Sequence, residues 1–161
     1  MAEFTVAALA DKPDMADICA AWSYGEWGCH IPGTTLEQFR MNYKERAQHK
    51  DRLPLVGVGY VGNVAAGMIS LKEKDHPDKP DLKPWVGSLF VHRRFQRTDL
   101  ALAMYQWLEA QAKDIFGFKN LYTFTCRSTE VYESLGWKRI GMVRDTTGLH
   151  PEGEPLLMKS L

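Results

Sequence analysis

The residues of this 161-residue chain that are best suited to bind a charged ligand lie in one short run, HRRFQRTDLA, at positions 92–101. Three arginines, Arg93, Arg94 and Arg97, stand there against one acid, Asp99. An apolar run precedes these residues and apolar residues at helical spacing follow them, so the run predicts a turn from a strand into a helix. Such a turn directs backbone N–H groups and the positive end of the helix dipole at one point, which favours a phosphate or pyrophosphate.

Two other interpretations of this turn are an ordinary exposed turn and a nucleotide-binding loop. An ordinary exposed turn, in which Thr98 or Asp99 caps the following helix, would carry the same residues. A nucleotide-binding loop is disfavoured, because the run contains neither GxxxxGKS/T nor GxGxxG and strands and helices do not alternate regularly along the chain.

The elements that must position this turn follow from hydrophobic periodicity. Seven strands are predicted, at residues 4–9, 53–61, 64–71, 84–91, 120–125, 137–143 and 156–160. Four helices are predicted, at residues 14–23, 36–50, 100–117 and 129–135. The order β-α-α-β-β-β-α-β-α-β-β has no internal repeat and no linker, so it predicts one domain over residues 1–161. The class is α/β, with a central mixed sheet in which the fourth and fifth strands are parallel because a helix joins them.

The same periodicity predicts which residues face the core. Leu36, Phe39, Tyr43 and Ala47 should mark the inner side of the second helix, with His49 on its solvated side. The apolar face of the third helix should include Leu100, Met104, Trp107, Leu108 and Ile115. Residues 72–83 contain four lysines, four acids and two prolines, which predicts a solvated loop without a function.

Composition excludes several classes of protein. With 45% hydrophobic and 11% aromatic residues the chain should fold rather than stay disordered. Zero formal net charge argues against nucleic acid as a partner, and no run approaches the roughly 18 apolar residues that span a bilayer. The three cysteines, Cys19, Cys29 and Cys126, form no CxxC pair, so neither a disulfide framework nor a metal site is expected. Without a secretion signal, a cytoplasmic location is expected.

Two longer runs carry a resemblance to a known family. PWVGSLFVHRRFQRTDLALAMYQWLE joins an apolar strand, an Arg/Gln-rich turn and a long helix, and LYTFTCRSTEVYESLGWKRIG follows with Tyr132, Gly136 and Trp137 in a Tyr-x-x-x-Gly-aromatic segment. Together with the order of elements, these runs resemble the acyl-CoA-binding core of the GNAT superfamily of N-acyltransferases over nearly the whole chain. The resemblance implies a GNAT-like fold of about seven strands and about four helices.

The resemblance also implies where acetyl-CoA would bind as a cosubstrate. The family's pyrophosphate loop, Arg/Gln-x-x-Gly-x-Gly/Ala, aligns with Gln96, Arg97, Thr98, Asp99, Leu100 and Ala101. Asp99 replaces the middle glycine with a side chain and a negative charge, which would repel a phosphate unless the carboxylate turns away to cap the helix. The fourth and fifth strands are expected to splay, leaving Leu89, Phe90 and Val91 as backbone partners of the pantetheine arm. One amide near Phe90 would polarise the thioester carbonyl.

The catalytic groups that the resemblance implies are fewer. Tyr132 occupies the position of the tyrosine that protonates the departing thiolate, although a tyrosine packed in the core would fit the same position. Glu26 and His30 lie in the irregular segment after the first helix and are the candidates that take the proton of the amine. An aromatic wall for the acceptor could be formed by Trp22, Tyr24, Trp27 and Trp85.

These residues predict an N-acetyltransferase that transfers an acetyl group from acetyl-CoA to a primary amine of an unidentified small molecule or peptide. The alternative is a catalytically weak or inactive GNAT-like module that binds CoA or another small anion as a sensor or partner protein. A homodimer is one option, since the last strands could pair between subunits.

Overall fold

A computed structural model describes residues 3–127 and 129–161 of the chain. Seven strands form one sheet: β1 (Phe4–Ala8), β2 (Leu55–Val61), β3 (Val64–Lys72), β4 (Trp85–Val91), β5 (Asn120–Phe124), β6 (Lys138–Val143) and β7 (Glu154–Ser160). The α-helices in the described residues are α1 (Ala16–Glu26), α2 (Leu36–Arg46), α3 (Leu100–Ala110) and α4 (Thr129–Ser134). The predicted order of strands and helices is confirmed.

The sheet has the strand order β1-β2-β3-β4-β5-β7-β6. Strands β1 to β4 are antiparallel neighbours, β4 and β5 are parallel, and β7 lies antiparallel between β5 and β6. The mixed topology is therefore as predicted, and β4 is central. None of the helices in the described part of the chain is long and apolar enough to cross a membrane.

Each face of the sheet is covered by a separate group of helices. On one face, Leu100, Met104 and Leu108 of α3 are fully buried against the sheet. Helix α3 lies close because β3 offers a glycine, Gly67, where an added Cβ would lie 2.9 Å from the Met104 methyl carbon. The other face packs against α1 and α2, which bury residues such as Cys19 and Tyr43 there. We refer to these as the α3 face and the α1/α2 face.

Most predicted bounds differ by one or two residues, and the larger differences lie in the first three helices. Helix α1 continues through Gly25 to Glu26, because a single glycine weakens a helix without ending it. Helix α2 ends at Arg46, and His49 beyond it is only 6% exposed rather than solvated. Helix α3 ends at Ala110 and passes into a π-helical turn, which rotates the following side chains, so Ile115 is 64% exposed and not part of the apolar face.

The connection between β3 and β4 is also less solvated than predicted. His76 is 3% exposed, its Nε2 donates to the Arg144 carbonyl (2.7 Å), and its Nδ1 accepts from the Asp78 N–H (3.1 Å). Its ring lies edge-on to Phe124, 5.1 Å between centroids. The equal numbers of lysines and acids predicted a solvated loop, but His76 anchors this loop to the sheet.

Replacing His76 with alanine should lower the free energy of unfolding by about 1–3 kcal/mol, because the Arg144 carbonyl and the Asp78 N–H lose their partner and a buried ring is removed. Urea unfolding followed by circular dichroism measures the change. Arg144→Ala is the control, since it breaks the largely exposed Arg144–Asp78 ion pair (3.1 Å) and should cost less than about 1 kcal/mol. Equal losses in the two variants would show that His76 is not the anchor.

Candidate active site

Strands β4 and β5 separate almost as soon as they meet. Within the described residues their ladder consists of the single pair Trp85–Tyr122. One residue further along β5, the Thr123 hydroxyl donates to the Val86 carbonyl (2.9 Å). Beyond Val86 the two strands diverge, so the β5 side of the rest of β4 is open. We call this point of separation the fork.

A bulge shapes the open part of β4. Two residues there, Ser88 and Leu89, stand opposite the single Ile69 of β3, and the register shifts at this point. Ser88 has a φ of 51°, in the left-handed region that side chains other than glycine adopt rarely. Bulges of this kind bend a strand and increase its twist, which moves β4 away from β5.

The hydrogen-bonding direction of the open strand follows from its ladder with β3. The His92 N–H donates to the Ala66 carbonyl (2.8 Å). Because hydrogen-bonded pairs recur every second residue in an antiparallel ladder, Phe90 bonds to β3 in the same way. The N–H groups of Leu89 and Val91 therefore point toward the fork, and the amide of Phe90 itself does not.

Residues 92–101 connect β4 to α3 at the same end of the sheet. Arg93, Arg94 and Arg97 are exposed, and none of them forms an ion pair among the described residues. The Gln96 side chain donates to the Val91 carbonyl (3.2 Å), which ties the turn to the open strand. Arg97 has a φ of 63°, and such strained conformations are concentrated at ligand sites. The three free guanidinium groups are suited to bind an anionic ligand.

Asp99 differs from the sequence expectation in one respect. Its carboxylate forms no capping hydrogen bond, so the suggestion that it turns away to cap α3 is wrong. Thr98 does this instead, since its hydroxyl accepts from the Leu100 N–H (3.4 Å) and donates to the Phe95 carbonyl (2.6 Å). Asp99 has a φ of −81°, which any residue adopts, so the backbone does not need a glycine at this position.

Tyr132 lies on the α3 face beside the fork. Its ring packs edge-on against Trp137 (5.4 Å between centroids) and Tyr105 (6.5 Å). Burial raises the pKa of Tyr132 to about 12, and a hydrogen-bonding contact with Thr123 opposes this rise. Because Thr123 also bonds to Val86, the Tyr132 hydroxyl is placed where β4 and β5 separate. A protonated hydroxyl at this position can donate a proton.

Glu26 and His30 are not brought together with Tyr132. Glu26 ends α1, and its Oε1 lies 3.4 Å from Nη1 of Arg127, which follows β5. The two side chains are 38% and 80% exposed, so the pair spans the α1/α2 side of the open region in contact with solvent. His30 is exposed on a short 3-10 turn, and its ring forms no hydrogen bond among the described residues.

The four aromatic residues expected at the acceptor side divide into two groups. Trp22 stacks on Phe90 of the open strand, with ring centroids 5.2 Å apart, and Tyr24 packs on Phe39. Trp27 is partly buried against the same cluster. Trp85 is fully buried and its Nε1 donates to the Leu82 carbonyl (2.6 Å), so the expectation that it lines an acceptor wall is wrong.

Comparisons with known proteins agree with this arrangement. The sequence profile of the Acetyltransferase (GNAT) family matches residues 19–137, which is most of the chain. This chain belongs to the GNAT acetyltransferase family. No curated protein matches it at a significant level.

Several solved structures share the fold of this GNAT protein. An acetyltransferase of the GNAT family from Streptococcus pneumoniae is 14% identical with a TM-score of 0.66, and 99% of each chain is covered. An aminoglycoside 6'-N-acetyltransferase complexed with coenzyme A is 12% identical with a TM-score of 0.71, covering 97% of this chain and 96% of that one. An aminoglycoside 6'-acetyltransferase type Ii is 14% identical with a TM-score of 0.70 and the same coverage. The predicted fold class is confirmed.

One group in the described part of this acetyltransferase has the residue types of a metal site. The ligand atoms of Cys126, His150 and Glu154 all lie within 4.8 Å of one another. The Cys126 thiol donates to Glu154 Oε1 (3.3 Å), and burial together with this carboxylate raises the pKa of Cys126 to about 11. Without a metal ion the group is held together by this thiol-to-carboxylate hydrogen bond.

Two features beside the fork are not predicted by the sequence. The sequence predicts only that Thr123 lies in a strand. Its hydrogen bond to Val86 arises from the parallel pairing of β4 and β5. Lys72 and Asp75 form an ion pair (3.0 Å) beside the open strand, although their loop looked solvated and self-neutralising. The only indication of this ion pair in the sequence is that the two residues are three positions apart.

Proposed function

We propose that this GNAT acetyltransferase transfers an acetyl group from acetyl-CoA to the primary amine of a small molecule or a peptide. The observation that carries the proposal is the fork. It combines outward-pointing amides on β4, a basic turn at the end of that strand and the protonated Tyr132 hydroxyl at the point of separation. The coenzyme A in one structure of the same fold is consistent with this donor.

The residues present fit the chemical groups of acetyl-CoA. Arg93, Arg94 and Arg97, with the backbone of Thr98 to Ala101 at the start of α3, would hold the diphosphate through charge and N–H groups. One of the two N–H groups, that of Leu89 or that of Val91, would bond to a pantetheine amide, which is a natural partner of an unpaired strand edge. The other would remain for the thioester.

The mechanism proposed for this chain needs two of its own groups. Acetyl-CoA supplies, when bound, the thioester that the amine attacks. One of the N–H groups at Leu89 or Val91 would donate to the carbonyl oxygen as negative charge develops there. The amine would attack as the free base and pass one proton to water as the C–N bond forms and the C–S bond breaks. Tyr132 would donate its proton to the sulfur that leaves and regain one from solvent, because its raised pKa keeps the hydroxyl protonated at neutral pH.

Asp99 supports a second candidate function. Its exposed carboxylate lies within the arginine-rich turn and is not used as a cap. A chain that binds CoA weakly, or binds another small anion as a sensor, would tolerate this residue better than an efficient enzyme.

Calorimetric titration with acetyl-CoA tests both functions. The wild-type protein should bind, and Asp99→Asn should bind about three- to sixfold more tightly, because a unit charge about 4 Å away is worth about 1 kcal/mol even in water. The gain should shrink at high salt. Asp114→Asn, an exposed change beyond the other end of α3, should leave the affinity unchanged. No binding at millimolar acetyl-CoA would exclude the enzyme, and equal affinity in Asp99→Asn would show that the carboxylate faces away.

A thiol-release assay over amino acids, polyamines, aminoglycosides and peptides then identifies the acceptor. Aminoglycosides belong in the first set, since two structures of the same fold are aminoglycoside acetyltransferases. Acetyl-CoA binding without release of thiol on any amine would favour the sensor.

A further inference from the structure

The carboxylate of Asp75 lies over Gly87, the first residue of the open segment of β4. It is on the face of the sheet opposite Tyr132. A Cβ added at Gly87 would lie 2.8 Å from Asp75 Oδ2 and 3.1 Å from Lys72 Nζ. The absence of a side chain at Gly87 therefore leaves the space in which the heads of these two side chains lie.

The carboxylate of Asp75 is held in one orientation. Lys72 Nζ donates to its Oδ1 at 3.0 Å, and the two side chains keep only 20% and 18% exposure. The next residue, His76, is buried and fixed by hydrogen bonds at both ring nitrogens. Oδ2 accepts no hydrogen bond within residues 3–127 and 129–161, so one oxygen of an otherwise fixed carboxylate is free to receive a donor.

The surroundings of Oδ2 come from the same face of the sheet. Ser70 pairs with Gly87 across the ladder, so both face the α1/α2 side, and the Ser70 hydroxyl is buried without a hydrogen-bond partner in the described chain. Further along β4, Phe90 pairs with Met68 on this face and stacks with Trp22. The carboxylate thus has a polar neighbour on β3 and an aromatic pair further along the open strand.

The two faces of the fork therefore carry different functional groups. Thr123 and Tyr132 on the α3 face supply hydroxyl groups, and Asp75 on the α1/α2 face supplies a negative charge. Glu26, another acid on this side, is paired with Arg127 in solvent. Among these groups, Asp75 has the oxygen that is both oriented and unpaired.

We propose that Asp75 binds the ammonium group of the acceptor, and that Lys72 positions Asp75 for this role. The acceptor is then a primary alkylammonium ion, which approaches β4 from the α1/α2 face while the donor occupies the fork. This assignment rests on the proposed function for its catalytic meaning, but the binding itself does not require turnover.

Direct binding tests the assignment without an acyl donor. n-Butylamine hydrochloride is titrated into the isotopically labelled protein, and the amide signals of Gly87 and Asp75 are followed by NMR. The wild-type protein should show saturable shifts, and n-butanol, which has the same chain without the charge, should not produce them. Asp75→Asn should weaken n-butylamine binding by about ten- to a hundredfold, since hydrogen bonds to charged groups are worth about 1.5–3 kcal/mol.

Two further variants sharpen the result. Gly87→Ala should weaken amine binding as well, because its Cβ would lie 2.8 Å from Asp75 Oδ2 and would displace the carboxylate, while the affinity for acetyl-CoA is unchanged. Asp81→Asn, an exposed change in the same loop, should bind n-butylamine like the wild type. Absence of shifts at Gly87, or equal binding by the wild type and Asp75→Asn, would overturn the assignment. Shifts at Gly87 in a protein that does not bind acetyl-CoA would retain the amine site and reject the proposed function instead.

Discussion

Replacing Tyr132 with phenylalanine is expected to lower kcat for acetyl transfer by about 100- to 10,000-fold, which is the usual contribution of a positioned general acid. The affinity for acetyl-CoA should change little, because the ring still packs on Trp137 and Tyr105 and only the hydroxyl is removed. Steady-state thiol release gives kcat, and calorimetric titration gives the affinity of the same preparation.

The pH dependence of kcat gives an independent check on Tyr132. A general acid works in its protonated form, and a raised pKa extends that form to higher pH. Since burial raises the pKa of Tyr132 to about 12, this residue should cause no alkaline decrease of kcat between about pH 7 and pH 10. A decrease centred near the ordinary tyrosine value of about 10 that disappears in Tyr132→Phe would show that the hydroxyl is not buried as described.

The control for the tyrosine substitution is Tyr60→Phe. Tyr60 lies in β2 and is also partly buried, but it packs on the α1/α2 face away from the fork. It should leave kcat within about twofold of the wild type, as expected for a residue outside the site. Equal kcat in Tyr132→Phe and the wild type would remove Tyr132 from the mechanism, and parallel losses of kcat and acetyl-CoA affinity would indicate a packing role.

Replacing Trp85 with alanine should lower the free energy of unfolding by about 3–5 kcal/mol, the range for a large aromatic residue in a core. Trp85 is fully buried and packs on Tyr122 (6.0 Å between centroids) and Phe124 (5.9 Å). In the part of the chain that the structure describes, it also forms, with Tyr122, the single ladder pair between β4 and β5. Urea unfolding measures the loss.

Trp22→Ala is the matched control for this loss of stability. Trp22 is only partly buried, so the same truncation removes less contact and should cost clearly less than Trp85→Ala. A loss below about 1 kcal/mol for Trp85→Ala would contradict the view that this residue holds the base of the fork together.

The basic turn illustrates how far local chemistry can be predicted. The strand, the turn and the helix follow from hydrophobic periodicity. The sequence also predicts that Thr98 or Asp99 caps the helix. Only the structure decides between them, because neighbouring residues with similar capping preference differ in orientation. The neighbouring Arg97 adopts a φ of 63°, which its residue type does not indicate either.

The loop before β4 illustrates what local chemistry misses. Its lysines and acids cancel in sequence, so it resembles solvated loops in general. In the fold, His76 inserts beside Phe124, and Asp75 is brought over a glycine of a different strand. Charge cancellation along a chain says nothing about which of the charges lie near a site.

By itself, the sequence determined the order of the elements, the mixed sheet and the basic turn, because these depend on periodicity and on residues adjacent in the chain. Tyr132 was singled out only by the resemblance to the family. The tertiary structure alone decided that Trp85 is buried, that the Thr98 hydroxyl rather than the Asp99 carboxylate bonds to the first turn of α3, and that Asp75 and Tyr132 lie on opposite faces of one fork. Those features depend on strand register and on the bulge at Ser88, which bring together residues far apart in sequence. Register is set by packing of the whole sheet, and no short segment specifies it.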